Sequence, residues 1–242
     1  YTGINGWEFS VEGYYKDMRN VLEYKDGVSF FGSSSGWENK VEMGKGRSAG
    51  IEFMAQKTAG KTTGWLSYTL SKSDRKFTKG GINNGEWFPY KYDRRHSINL
   101  TINHKFSDRI DIGASWVFYT GGTSTIPEEK TTVIRPHNGA NNGFLWYGTY
   151  DNTNSSPTIG DVSYIEHRNN FRLPASHRLN LGVNFNKKTK HGMRTWNISL
   201  YNAYNAMNPA WVYRGHNKQG LSVIKKYTLL PLIPSFTYTY KF

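Results

Sequence analysis

The sequence contains no cysteine, which excludes a disulfide framework, a thiol nucleophile and a thiolate metal site together and makes an oxidising compartment harmless. No stretch approaches the ~18 to 20 consecutive apolar residues that a spanning helix requires, and Tyr1 opens directly on patterned sequence without the features of a signal peptide. A helical membrane protein is thereby excluded. Acidic residues are scarce: 18 Asp and Glu stand against 31 Lys and Arg, for a formal charge of +13. That excess calls for an anionic partner or surface, nucleic acid and lipid A phosphate being two candidates. Aromatic residues are what the sequence has in plenty, with 17 Tyr, 13 Phe and 8 Trp among 242 residues. The mean hydropathy of −0.67 is compatible with a membrane barrel, whose strands alternate apolar and polar residues.

That alternation runs through the chain. Trp7, Phe9, Val11, Gly13 and Tyr15 are interleaved with Glu8, Ser10, Glu12 and Tyr14, a period of two that predicts a strand. The same pattern returns around Ala49 to Ala55, Leu66 to Leu70, Ile98 to Ile102, Ile112 to Phe118, Leu179 to Phe185, Trp196 to Leu200 and Phe236 to Phe242. Eight strands are predicted. Short turns near Ala59 to Lys61, Ser107 to Arg109 and Asn186 to Gly192 alternate with long connections from Asp26 to Lys45, Phe77 to Asp93 and Gly122 to Ser176, and with a hairpin tip at Gly215 to Gly220. Outer-membrane barrels segregate short periplasmic turns from long extracellular loops in this way. Aromatics should then bracket each span: Trp7, Trp65, Phe106, Phe185, Trp196 and Phe242 at the short-turn end, and Tyr15, Phe118, Tyr119 and Tyr204 at the other. A soluble sandwich also alternates, but gives no reason for the two loop lengths to segregate.

Several strings resemble the C-terminal barrel region of TonB-dependent outer-membrane receptors. They are Gly13-Tyr14-Tyr15-Lys16-Asp17-Met18, Gly44-Lys45-Gly46-Arg47, Tyr92-Asp93-Arg94-Arg95-His96, Leu173-Pro174-Ala175-Ser176-His177-Arg178-Leu179, Tyr201-Asn202-Ala203-Tyr204-Asn205 and the ending Ile233-Pro234-Ser235-Phe236 to Phe242. The resemblance implies an all-β, antiparallel up-and-down transmembrane barrel, with residues 1–242 forming about eight C-terminal strands of a 22-stranded wall. On this reading the plug domain and the earlier strands lie outside the chain. The implied protein is a receptor in the Gram-negative outer membrane that imports a scarce solute, such as an iron chelate or glycan, into the periplasm. Its partners would be outer-membrane lipid and lipopolysaccharide, the plug, and through the plug the TonB energy-transducing complex. A closed eight-stranded barrel is the physical alternative. In other functional classes, a small outer-membrane barrel enzyme and a soluble carbohydrate-binding sandwich remain open.

Candidate functional residues follow from position. Trp87 and Tyr90, and Trp146, Tyr147, Tyr150 and Asp151 in the longest loop, could stack on a sugar ring or flat chelate while the carboxylate orients it. Phe236, Tyr238, Tyr240 and Phe242 resemble the terminal aromatic signal read by the outer-membrane insertion machinery. Inward positions such as Glu52, Gln56, Asn99, Asn103, Asp111, Asn180, Asn184, Asn197, Thr237 and Lys241 would meet a plug or channel water. Catalysis has little support: the seven histidines show no metal-site spacing, there is no nucleophile elbow, and no cofactor is implied. His137 and His167 share a loop with Glu128, Glu129, Asp151, Asp161 and Glu166, which keeps the enzyme alternative open. Lysines and arginines concentrate in turns and outer loops and are nearly absent from the outward strand faces, which argues against a nucleic-acid platform.

Overall fold

The computed structural model describes residues 1–25, 36–79, 81–135 and 158–242, with 129–135 and 158–163 described by their backbone alone. Eight long strands are laid down in sequence order: β1 (Trp7–Tyr24), β2 (Val41–Lys57), β3 (Thr62–Lys76), β4 (His96–Lys105), β5 (Ile110–Tyr119), β6 (Ser176–Thr189), β7 (Gly192–Tyr201) and β8 (Ile233–Lys241). Each pairs antiparallel with the next, giving one up-and-down sheet whose edges are β1 and β8. The predicted strands are all present. The sheet is not closed, so the eight-stranded barrel weighed from the sequence is not formed within this chain.

Register decides which residues share a face, because directly paired residues point the same way. One row runs Val11, Phe53, Tyr68, Ile98 and Phe118 across β1 to β5. Another runs Ile112, Val183, Ile198 and Phe236 across β5 to β8. The opposite face carries Glu12, Glu52, Thr69 and Ser97 in one row, and Asp111, Asn184, Asn197 and Thr237 in another. No second layer covers the apolar rows among the described residues: Val11 is 71% exposed, Ile51 56%, Ile198 50% and Phe236 63%. A sandwich would bury these groups, so the structure excludes it.

Strand lengths divide the sheet into a span and an extension. β4 and β5 have 10 residues each, about what a tilted strand needs to cross a bilayer. β1 and β2 have 18 and 17, and their surplus lies at the long-loop end, where Asp17 and Arg47 follow Tyr15 and Ala49 on the apolar face. The dry core is found there and not in the span. Phe77 and Ile82 are fully buried and Phe88 nearly so, with Val21 packed against them.

A bulge brings Val21 into this cluster. Asn20 takes a left-handed conformation (φ 58°), and the register skips it between Arg19 and Val21. The extra residue moves Val21 from the outward to the inward face. Gly44, paired with Val21, permits the close approach that follows, since a Cβ there would lie 2.4 Å from both the Phe77 ring and the Lys76 carbonyl.

Three sequence expectations are corrected. Trp65 pairs with Gln56 and Thr101, and Tyr119 with Ser97 and Ser176, so both belong to the polar face and not to an outward girdle. Their neighbours Leu66 and Phe118 hold the outward positions. The turn expected at Asn186 to Gly192 is shorter, because β6 and β7 stay paired up to Thr189 and Gly192. Lysines 187 and 188 are tolerated in the ladder there because charge on a strand is costly only within hydrocarbon.

Candidate functional site

At the short-turn end of the polar face, an ordered amide chain converges on one carboxylate. Asn184 donates to Asp111 Oδ2 at 2.6 Å and Asn186 to Asp111 Oδ1 at 2.7 Å. Asn197 in turn donates to Asn184 Oδ1, and Thr195 to Asn186 Oδ1, each at 2.7 Å. All four donors point toward Asp111, so each bond polarises the next. Nearby, Lys105 donates to Asp108 at 2.8 Å. That hydrogen bond first, and the charge second, hold the exposed Asp108 carboxyl below its usual range.

The long-loop end is tied down by a second carboxylate. Asp93, 1% exposed, accepts from Arg172 at 2.6 Å and from the Ser73 backbone N–H at 2.7 Å, with Arg95 at 3.6 Å. Arg172 also donates to the carbonyls of Asp93 and Gly121 at 2.8 and 2.9 Å. One ion pair therefore joins β3, the Asp93 turn, the exit of β5 and the return of the long loop. The preceding residues continue the tie: Asn169 donates to the Pro89 carbonyl at 2.8 Å, Asn170 to Ile126 at 2.9 Å, and Arg168 to the Tyr24 carbonyl at 2.7 Å.

These ties frame a cleft of about 290 Å³ lined by Glu23, Lys91, Thr123, Ser124, Thr125, Arg168 and Asn169. Three arginine side chains lie over tyrosine rings nearby or along the polar face: Arg75 over Tyr90 at 4.2 Å, Arg94 over Tyr119 at 3.9 Å and Arg178 over Tyr201 at 4.2 Å. Each pair offers a cation held flat on an aromatic face. On the outward face at this level, His177 and Trp116 meet at the Tyr204 hydroxyl, 2.8 and 3.1 Å away, an aromatic cluster at the position of a girdle.

The sequence-predicted residues fall in different places. Tyr90 lies under Arg75 and edge-on to Tyr92, with ring centroids 5.4 Å apart. Trp87 stacks instead on Arg47 at 4.3 Å, and Arg47 is bonded to Asp74 on the outward face, so Trp87 and Tyr90 are not brought into one platform. Trp146, Tyr147, Tyr150 and Asp151 lie outside the described residues. Phe236 and Tyr238 flank Trp196 at 5.1 and 4.4 Å, and Phe242 is fully exposed. Among the described residues no three His, Asp or Glu side chains gather as metal ligands. Sequence reasoning assigned no role to Asp93, Arg172 or Asn169, although the Asp93-Arg94-Arg95 string was a visible signal.

Comparison with known families places the protein. The family described as TonB dependent receptor-like, beta-barrel matches residues 1–206, and the chain belongs to it. Proteins of this family are outer-membrane transport receptors of Gram-negative bacteria and not an enzyme family. No curated protein sequence matches the chain.

Proposed function

We propose that this chain is a C-terminal part of the wall of an outer-membrane receptor that binds a scarce solute at its extracellular mouth and passes it to the periplasm. The observation that carries this reading is the contrast between the two faces of one sheet: uncovered apolar rows on one side and a hydrogen-bonded polar lining on the other. Hydrocarbon suits the first and a water-filled or plugged bore the second. Open edges at β1 and β8 fit a wider barrel completed by further strands, with a plug in its lumen and energy relayed through TonB. The cleft beside Arg168 and the Arg–Tyr pairs suit a solute bearing anionic or hydroxyl groups, an iron chelate or a glycan. Trp87, Trp146, Tyr147, Tyr150 and Asp151 are proposed as further loop contacts.

The test is uptake by cells with and without the intact protein, using labelled ferric chelates and labelled oligosaccharides. Protein-dependent uptake of one class, abolished when the inner-membrane proton gradient is dissipated, is the expected result. Gradient-independent uptake, or none of either class, overturns the proposal.

Phe242, at the end of the aromatic series on β8, is proposed as the insertion signal. Deleting it should slow assembly into the outer membrane several-fold, measured by pulse-chase of protease protection. Unchanged kinetics would leave Phe242 as an ordinary strand end.

A further inference from the structure

At the short-turn end, the hairpin of β6 and β7 outruns its neighbours. The outward aromatic row Phe185, Trp196 and Tyr238 closes the apolar span, yet β6 continues to Thr189, ~13 Å further along the strand. This projection is basic on both sides. Lys187 lies opposite Arg194 on the outward face, Lys188 and Lys241 flank Met193 on the inward face, and Lys190 sits in the turn. Like charges placed side by side on a ladder repel, and none of these cations forms an ion pair among the described residues. The carboxylates of the adjoining turn are already taken: Asp108 by Lys105 at 2.8 Å, and Asp111 by two amides.

The projection is also stiff. The Thr189 hydroxyl donates to the Gly192 carbonyl at 3.1 Å and lies 3.3 Å from the Tyr240 hydroxyl. The Asn186 N–H donates to the Arg109 carbonyl at 2.7 Å, which fixes the hairpin to the neighbouring turn. A Cβ at Gly192 would collide with the Lys241 carbonyl, so the glycine lets β8 close over the tip. The cations are thus held together beyond the span with no internal partner to offset their repulsion.

From this arrangement we infer that the hairpin docks the receptor on the cell wall, by ion pairing to a polymer of repeated free carboxylates, the chemistry of the peptide stems of peptidoglycan. The inference rests on the membrane reading proposed above, with the short turns in the periplasm, and adds a partner there. Three features select this occupant. Cations stand on both faces and at the tip, whereas phospholipid headgroups meet the outward face alone. The cations diverge, so a small anion engages one or two at a time, while a polymer engages several and gains from the effective concentration of its remaining charges. A folded protein would need an apolar centre depleted of charge, and the last two full rows across β6 to β8, Lys187-Arg194-Tyr240 and Lys188-Met193-Lys241, each carry a pair of cations.

The test uses the full-length receptor isolated from its native membrane into nanodiscs of zwitterionic phospholipid, with protein-free wall sacculi as the probe. Cosedimentation at low ionic strength is measured for the wild type, for Lys187→Ser, Lys188→Ser, Lys190→Ser and Lys241→Ser combined, and for the same positions changed to arginine. A control combines Lys45→Ser, Lys76→Ser, Lys218→Ser and Lys225→Ser, which remove equal charge at the long-loop end. The hairpin serine variant should bind about tenfold more weakly than the wild type, the arginine variant and the control should bind as the wild type does, and sacculi whose carboxylates are capped as amides should not bind. A wild type that does not sediment, full binding by the hairpin serine variant, an equal loss in the control, or undiminished binding to capped sacculi would each overturn the inference. The capping comparison needs only the wild type, so it decides the matter even where a variant fails to assemble. Separately, a maleimide that cannot cross the outer membrane is offered to cells carrying Lys190→Cys. Labelling of intact cells counts against the membrane orientation itself, whereas labelling only after permeabilisation, together with absent wall binding, counts against the docking alone.

Discussion

Arg172→Ala is expected to destabilise the protein by about 3 kcal/mol, with the damage confined at first to the long-loop end. The substitution removes the 2.6 Å partner of a carboxylate that is 1% exposed, leaving Asp93 with the Ser73 N–H and a more distant Arg95. An uncompensated buried charge is worse than no charge. Arg172 also closes two carbonyls, those of Asp93 and Gly121, so the exit of β5 and the return of the long loop lose their common tie. Denaturant unfolding in detergent micelles should show the loss, and limited proteolysis should cut near residues 121–125 and 168–172 before any span is cleaved. Combining Asp93→Ala with Arg172→Ala should cost less than the two separate losses added together, because the second change removes the charge that the first left stranded. Wild-type stability of Arg172→Ala would show that the ion pair contributes nothing to the mouth.

The second large effect lies in the middle of the span. Ile98→Arg, in the row Val11, Phe53, Tyr68, Ile98 and Phe118, should cost ~2 to 4 kcal/mol in a lipid bilayer, the toll of a cation at the hydrocarbon midplane. Its chain neighbour Asn99 points the other way, where its amide donates to Ser67 at 3.4 Å, and Asn99→Arg should cost well under half as much. The comparison holds strand, depth and substituted residue nearly constant and changes only the face. Unfolding in phospholipid vesicles measures both. Equal costs would mean that the apolar rows are not lipid-facing and would remove the physical basis of the uptake proposal.

The polar lining has a different logic. Asp111 is reached by two amides, which are themselves reached by Asn197 and Thr195, so the short-turn end of β5 to β7 is locked by neutral donors and a single charge. That arrangement satisfies its polar groups without a buried counterion, which suits a surface that must meet water or a removable domain. The mouth, by contrast, is held by charge pairs and by arginines stacked on tyrosines. Rigidity at the mouth comes from these few strong contacts, which is why one substitution there is expected to do so much.

The period-two pattern determined by itself that the chain forms eight long strands, which residues of each strand share a face, and that the connections alternate in length. These features are local: side-chain direction on a strand follows from position alone, and a turn needs only a few residues. The same alternation puts Trp65 and Tyr119, next to Leu66 and Phe118, on the polar side, although by composition they look like girdle residues. Tertiary structure decided the rest. Asn20 reads as an ordinary strand residue, and only the paired strand reveals the bulge that moves Val21 into the cluster with Phe77, Ile82 and Phe88. Asp93 and Arg172 lie 79 residues apart, and Lys241 joins the cations of the β6 and β7 hairpin only because three strands share a register. Contacts between residues distant in sequence depend on that register, which no single strand encodes, since it is the pairing of whole faces that makes one alignment more stable than its neighbours.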